Sequence, residues 1–420
     1  MSDGPATQAV QDKASENVTL RPWASLQYPD YALLLGSSLF SGVALQMRQI
    51  ANLWQVYELS GSAIQLGLTG LFQALPLFAL GLFGGALADI MNRKSLILIT
   101  HAINFILALV LTVLTMSGQI QVWHIFLVTS LTSAINIVGG PARMAMVPRL
   151  VPQSHLMNAI AFNTTSGQSA FFLGPMAAGL AIDALGIGQT YLLNTLVLVP
   201  PIFAILAIRA SGSVEGGRRV ASLQGIWEGM HFVWRERVIF GLLLLDFGVT
   251  VVGYFRTLLP IFAKDILKQG AGGLGLLSSA PAVGSVLGAM VLLLSGNLRN
   301  KGRLVLVSAA FYGVALIIFG TSSLFWLSLL LVGVLGFTDA ISVTVRQTTV
   351  QLLTPDQLRG RAFSIFSIFA LGANSVGAME AGIVAALIGA PGAMMLGGAI
   401  GIAVVLGIAV GIRQVRQYDA

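Results

Sequence analysis

The sequence predicts an all-α polytopic membrane protein, with twelve transmembrane helices in two pseudo-symmetric six-helix bundles. Three observations predict it. The 420-residue chain is 56% hydrophobic and only 9% charged, with a mean hydropathy of +0.85. Apolar runs of about 20 residues recur down nearly its whole length, and at about 1.5 Å per residue each matches a hydrocarbon core of roughly 30 Å. The chain also aligns with itself in two parts. A soluble protein of this size needs far more charge to cover its surface. Outer-membrane strands are excluded because they alternate polarity over about 10 residues.

Runs and their breakers place spans at 31–57, 63–88, 95–116, 122–145, 156–183, 190–209, 238–263, 272–295, 304–320, 324–348, 360–388 and 392–412. Residues 1–30 form a polar tail with no basic segment leading into a short apolar core. This argues against a cleaved signal peptide and makes the first span the membrane anchor. The expected order is therefore the tail, a bundle over 31–210, a linker over 211–237, a second bundle over 238–412 and a tail over 413–420. In the linker, Leu223, Ile226, Trp227, Met230, Val233 and Trp234 recur on one helical face, as in a helix lying on the membrane surface.

Lys and Arg set the orientation. With the amino terminus inside, seventeen of the 23 fall in inner segments, and only Lys264 and Lys268 fall in outer loops. Both termini are thus expected in the cytoplasm. The net charge of +7 is an orientation signal and calls for no nucleic acid. There is no cysteine, and the four histidines are scattered, so neither disulfides nor a metal centre are expected. No phosphate-binding Gly-rich loop, H-E-x-x-H or G-x-S-x-G occurs, which removes ATP-driven pumping by this chain and the familiar hydrolase sites. No cofactor is expected.

A shift of 208 residues lays Arg48 on Arg256, Leu66-Gly67 on Leu274-Gly275 and Arg93 on Lys301. A shift of 203 lays Arg143 on Arg346, Pro152 on Pro355, Ala159 on Ala362, Gly174 on Gly377 and Gly179 on Gly382. Parallel repeats of this kind bind substrate between their halves.

The second-to-third turn reads GALADIMNRK and resembles the loop motif of the major facilitator superfamily, G-x-L-x-D-R-x-G-R-K. Gly85, Leu87, Asp89, Arg93 and Lys94 match, while Ile90 and Asn92 depart. Asn at 92 is expected to keep a left-handed turn. YFRTLLPIFAKDIL, VPRLVPQSHLMNAIAF and TPDQLRGRAFSIF resemble the bacterial enterobactin and macrolide exporter group. The resemblance implies a bacterial inner-membrane transporter, expected to act as a monomer on a small amphipathic molecule. It also implies a cytoplasmic gate at Gly85, Asp89, Arg93 and Lys94. Span five, GQSAFFLGPMAAG, resembles the exporter motif G-P-x-x-G-G through Gly167, Gly174, Pro175 and Gly179, although Ala178 replaces one glycine. Small residues also serve plain helix packing.

A charge at the bilayer centre costs roughly 2.5–3.5 kcal/mol even on insertion scales, so it faces a cavity or a partner. Arg48, Asp246, Arg256, Asp339 and Glu380 are the candidates. Two readings stay open: structural clamps that pair with one another, or groups serving substrate or proton. A coupling carboxylate must change protonation in the cavity, and a mobile Arg beside it can act as the switch. Asp339 and Glu380 lead for that role, and Asp246 follows. Span four lacks an Arg in its outer part; Arg143 and its match Arg346 read as interface or loop anchors. Gln46, Gln49, Asn52 and Gln55 either line a cavity or bond between helices.

The leading expectation is a proton-driven exporter working by alternating access, and the alternative is an importer with the same fold. The absence of native cysteine gives labelling a clean background. Single cysteines introduced as Arg218→Cys and Lys301→Cys are expected to react with an impermeant maleimide only from the cytoplasmic face. Labelling from opposite faces would refute the duplication.

Overall fold

A peptide group in hydrocarbon has no water to bond, so a spanning segment closes its own hydrogen bonds as a helix. The computed structural model describes residues 23–210, 212, 230–296, 300–355 and 358–418; side chains at 78, 81–90, 359–361, 363–364 and 367–368 lie outside that description. Among the described residues there are helices and turns and no strand. The helices are α1 Pro29–Ser60, α2 Ala63–Ile90, α3 Arg93–Met116, α4 Val122–Leu150, α5 Leu156–Leu185 and α6 Ile187–Ala207. They continue as α7 Arg237–Ile266, α8 Gly270–Leu294, α9 Lys301–Thr321, α10 Phe325–Leu353 and α11 Arg359–Gly411.

Nine segments among the described residues are long and apolar enough to cross a membrane. The helix α1 falls outside that set despite its 32 residues, because Gln46, Arg48, Gln49, Asn52 and Gln55 lower its hydropathy. That polarity is turned inward: Arg48, Asn52 and Gln55 are all buried. Asn52 donates to Thr129 Oγ1 (3.1 Å) and accepts from the Tyr191 hydroxyl (2.9 Å), and Gln55 donates to Thr115 Oγ1 (3.1 Å). Interhelical bonding accounts for Asn52 and for the Gln55 Nε2 donor, while Gln55 Oε1 is buried without a partner among the described residues.

Two local expectations are corrected. Span seven, read as one helix, is broken: regular helix ends at Val252, a 3₁₀ turn covers Arg256–Leu258, and a π turn covers Phe262–Ile266. Pro260 has no N–H to return to the carbonyl four residues back, and Gly253 supplies no stiffness. The Tyr312 hydroxyl bonds the Gly253 carbonyl at 2.9 Å. Spans eleven and twelve lie within α11 on either side of Gly389 (φ 79°, ψ 159°), where the chain folds back between the expected 360–388 and 392–412. Gly377 and Gly397 both pack on residues 250–254 of α7, which a straight 20-residue helix about 30 Å long forbids. Asn92 is not left-handed (φ −58°, ψ 119°). It is the N-cap of α3 and accepts from the Ser95 N–H at 3.2 Å, satisfying a donor the helix start leaves open. The left-handed residue is its repeat partner Asn300, at φ 59°. Of the surface helix expected before span seven, only the last turn, 230–235, is described; it is helical, and Val233 packs with Ile239, Leu243 and Val350.

The helices α1–α6 pack mostly on one another, α7–α11 do likewise, and two crossings join the sets: α5 with α8, and α2 with α11. Both crossings place glycine on glycine. A Cβ on Gly179 would stand 2.7 Å from Gly275 Cα, and one on Gly382 would stand 2.8 Å from Gly67 Cα. The first crossing is the repeat image of the second, since these are the positions that the two shifts align. Close backbone approach requires residues without side chains. Gly174 packs on α1, 2.9 Å from its Cβ position to the Val43 carbonyl, whereas a Cβ on Gly167 would meet nothing. Gly179→Val is therefore expected to destabilise the purified protein by about 1–3 kcal/mol in thermal unfolding through overpacking. Gly167→Ala is expected not to lower stability.

Candidate functional site

Each set of helices encloses a polar cavity. In the first set, a cavity of about 140 Å³ lies among α1, α3, α4 and α6, lined by Arg48, Thr100, His101, Asn104, Asn136 and Arg143. In the second, a cavity of about 80 Å³ lies among α7, α9, α10 and α11, lined by Arg256, Ser308, Tyr312, Asp339, Ser342 and Arg346. The shift of 208 carries Arg48, Thr100 and Asn104 onto Arg256, Ser308 and Tyr312. The shift of 203 carries Asn136, Gly139 and Arg143 onto Asp339, Ser342 and Arg346. Repeat-matched positions thus line both cavities with different chemistry.

In the first cavity Arg48, only 3% exposed, donates from Nη1 to the Asn104 carbonyl (3.2 Å) and from Nη2 to Asn104 Oδ1 (2.8 Å). His101 Nε2 lies 3.0 Å from the Ser37 hydroxyl. In the second, Arg346 Nη2 lies 2.7 Å from Asp246 Oδ1, with both side chains buried, and the Thr250 hydroxyl donates to the same oxygen at 3.3 Å. Arg346 Nε and Ser342 Oγ are buried without a hydrogen-bond partner among the described residues. Asp339 and Arg256 line the same cavity and are exposed there. Arg256 sits at the break in α7, its guanidinium 5.7 Å from the Phe255 ring centroid.

Asp246, Arg256 and Asp339 are thus brought to one place, joined by Arg346. That residue is a buried ion-pair partner, not a loop anchor. Arg48 lies in the other cavity. Glu380 belongs to neither: it lines an apolar groove between α2 and α11 with Leu71, Val376, Met379 and Ile383. Asn104, Asn136, His101, Asp183 and Tyr312 were not singled out in the sequence. Carrying the two shifts through every polar residue would have found Asn104, Asn136 and Tyr312, because each is the repeat partner of a polar residue in the other cavity.

At the α2–α3 turn, Arg93 donates to the Ala145 carbonyl of α4 at 3.0 Å. Lys94 Nζ donates to the carbonyls of Leu206 (3.2 Å) and Ile208 (2.5 Å), a cation on the negative end of α6. The side chains of Gly85 and Asp89 lie outside the described residues.

Between described residues, every hydrogen bond joining α1–α6 to α7–α11 lies away from the chain termini. The carboxylate of Asp183, at the end of α5, accepts from the Ala271 N–H (3.1 Å) and the Gly272 N–H (2.8 Å) at the start of α8. The Tyr57 hydroxyl donates to Asp265, and the Ser279 hydroxyl donates to the Phe172 carbonyl at 2.8 Å. No group of three or more potential metal-binding side chains occurs among the described residues.

Removing one partner of a buried pair leaves a charge uncompensated, at about 3–5 kcal/mol. Asp246→Asn is expected to lower thermal stability by that order, and Asp246→Leu with Arg346→Met to recover most of the loss. Equal stability of the single and double variants would show that the pair is not a coupled unit.

Over residues 20–420 the chain matches the family described as transmembrane secretion effector. It is 25% identical over 374 residues to the enterobactin exporter EntS of Escherichia coli O1:K1 / APEC, covering 88% of this chain and 86% of that protein. The same protein of Shigella boydii serotype 18 matches to the same extent. Among solved structures, the nucleoside transporter NupG superposes with a TM-score of 0.71 at 12% identity, covering 91% of this chain and 98% of that one. A bacterial homolog of the human lysosomal transporter Spinster, in an inward-facing and unoccupied conformation, superposes with a TM-score of 0.69 at 14% identity, covering 92% and 96%. These structures share the fold. The protein is a multi-pass membrane transporter, not an enzyme, and it belongs to the transmembrane secretion effector family of the major facilitator superfamily.

Proposed function

We propose that the chain is a secondary active exporter of a small amphipathic molecule from the bacterial cytoplasm, driven by protons. In this reading twelve spans form two six-helix bundles over 31–210 and 238–412, joined by the 211–237 linker. Both termini are cytoplasmic, and a single chain suffices. The observation that carries the reading is the one-sided closure. Among the described residues, hydrogen bonds and glycine crossings join the two sets at the end away from the termini, while a polar cavity stands in each set. With the termini inside, this is the cytoplasm-open member of an alternating pair. The outward direction rests on the relative named an enterobactin exporter.

Asp339 carries the coupling proton in this proposal. It faces open space in its cavity, whereas Asp246 is committed to Arg346. Arg256, at the break in α7, can approach or leave Asp339 as the halves rock, and so links protonation to conformation. Glu380 takes no part, being set apart between α2 and α11. On the cytoplasmic side Asp89 and Arg93 form the gate of the opposite state. Arg93 Nε, buried and without a partner among the described residues, is a donor still available for a carboxylate.

The test is transport in proteoliposomes with an imposed pH gradient, using a compound to which a deletion strain becomes hypersensitive. Gradient-driven transport is expected to fall at least tenfold in Asp339→Asn while exchange without a gradient continues. Asp89→Asn is expected to slow both. Equal loss of both activities in Asp339→Asn would remove its proton role, and uptake into cells would reverse the direction.

A further inference from the structure

The two matched cavities differ in charge. Asp339, which lines the second cavity, maps onto Asn136 in the first, and Asp246, the partner of Arg346, maps onto Ser38. The Ser38 hydroxyl is spent on the Leu34 carbonyl of its own helix, and the Asn136 amide donates to the Thr132 carbonyl. The basic residues stay in both. Among the described residues, the first cavity is therefore lined by Arg48, Arg143 and His101 and by no carboxylate. Arg48 is buried and bonds only the neutral Asn104, so its charge is solvated but not neutralised. Arg143 makes no hydrogen bond or ion pair with a described residue. Buried guanidinium groups ordinarily pair with carboxylate or phosphate, for which their planar fork is shaped.

We propose that this cavity is a subsite for an acidic group, and that the transported molecule is an amphipathic organic anion. Its carboxylate, phosphate or comparable group sits between Arg48 and Arg143. Its remaining surface meets the second cavity, where Asp246 already balances Arg346. The volume of about 140 Å³ admits such a group with a few waters. The inference rests on the transporter reading but on neither its direction nor its coupling. A phospholipid headgroup offers the same chemistry, and the test separates the two sources.

The test uses the purified full chain in phosphatidylcholine nanodiscs and two probes with one fluorophore and opposite charge, dansylglycine and dansyl-ethylenediamine. Wild type is expected to bind dansylglycine at least tenfold more tightly, a difference of about 1.4 kcal/mol. Arg143→Gln should erase the preference and Arg143→Lys should retain most of it. Asn136→Asp, which installs the acid of the other cavity, should also abolish it and serves if Arg143→Gln fails to fold. Equal affinities, preference for the amine, no saturable binding of either probe, or a preference untouched by Asn136→Asp would each overturn the proposal. Replacing about a quarter of the lipid with phosphatidylglycerol should leave dansylglycine binding unchanged. Competition that vanishes in Asn136→Asp would assign the cavity to a headgroup and overturn the claim about the transported molecule. Equilibrium binding is blind to transport direction, so a failure here leaves the export reading standing, and the converse holds.

Discussion

An unpaired polar group in hydrocarbon costs several kcal/mol, and the molecule is organised around avoiding that cost. Where α7 is interrupted, the Tyr312 hydroxyl takes over the Gly253 carbonyl that the helix no longer uses. Where α6 stops, the Lys94 ammonium takes over the last carbonyls. Where α8 begins, a carboxylate from α5 meets its first N–H groups. Each repair brings in a residue from another element, so irregular backbone is also where distant segments are tied together. The breaks in the helices and the joints of the structure are the same places.

Charge follows the same rule. The buried Arg residues are not scattered but gathered into two cavities at repeat-equivalent positions. The outcome is a molecule with a shared frame and unlike pockets. Unlike pockets suit different groups, which two identical pockets would not. The glycine crossings have not diverged in this way. Gly67, Gly179, Gly275 and Gly382 remain on both sides, because any side chain there would push the backbones apart.

Composition alone made the fold class legible, since twenty-residue apolar runs have no soluble alternative. The repeat register was legible from Arg48, Gly67, Arg143 and Gly179, and it reaches the packing of both crossings. Arg346 illustrates what was hidden. Its position near a helix end suggested an anchor, but a long side chain on a helix reaches well past its own Cα, and its partner Asp246 lies on a helix about a hundred residues away in sequence. The break at Gly253 was hidden because the segment stays apolar throughout, and hydropathy does not record whether a backbone is wound. Asn92 was misread because Asn suits both a left-handed turn and an N-cap. Only the following Ser95 N–H decides between them.

Asp183 joins the two sets through main-chain donors, and this has an evolutionary consequence. Amides belong to every residue but proline, so drift at positions 271 and 272 to any other residue keeps those donors, although bulk at Gly272 would crowd the carboxylate. The whole chemical burden of the clasp therefore rests on one acceptor in the amino-terminal half, and selection on it should register at a single codon.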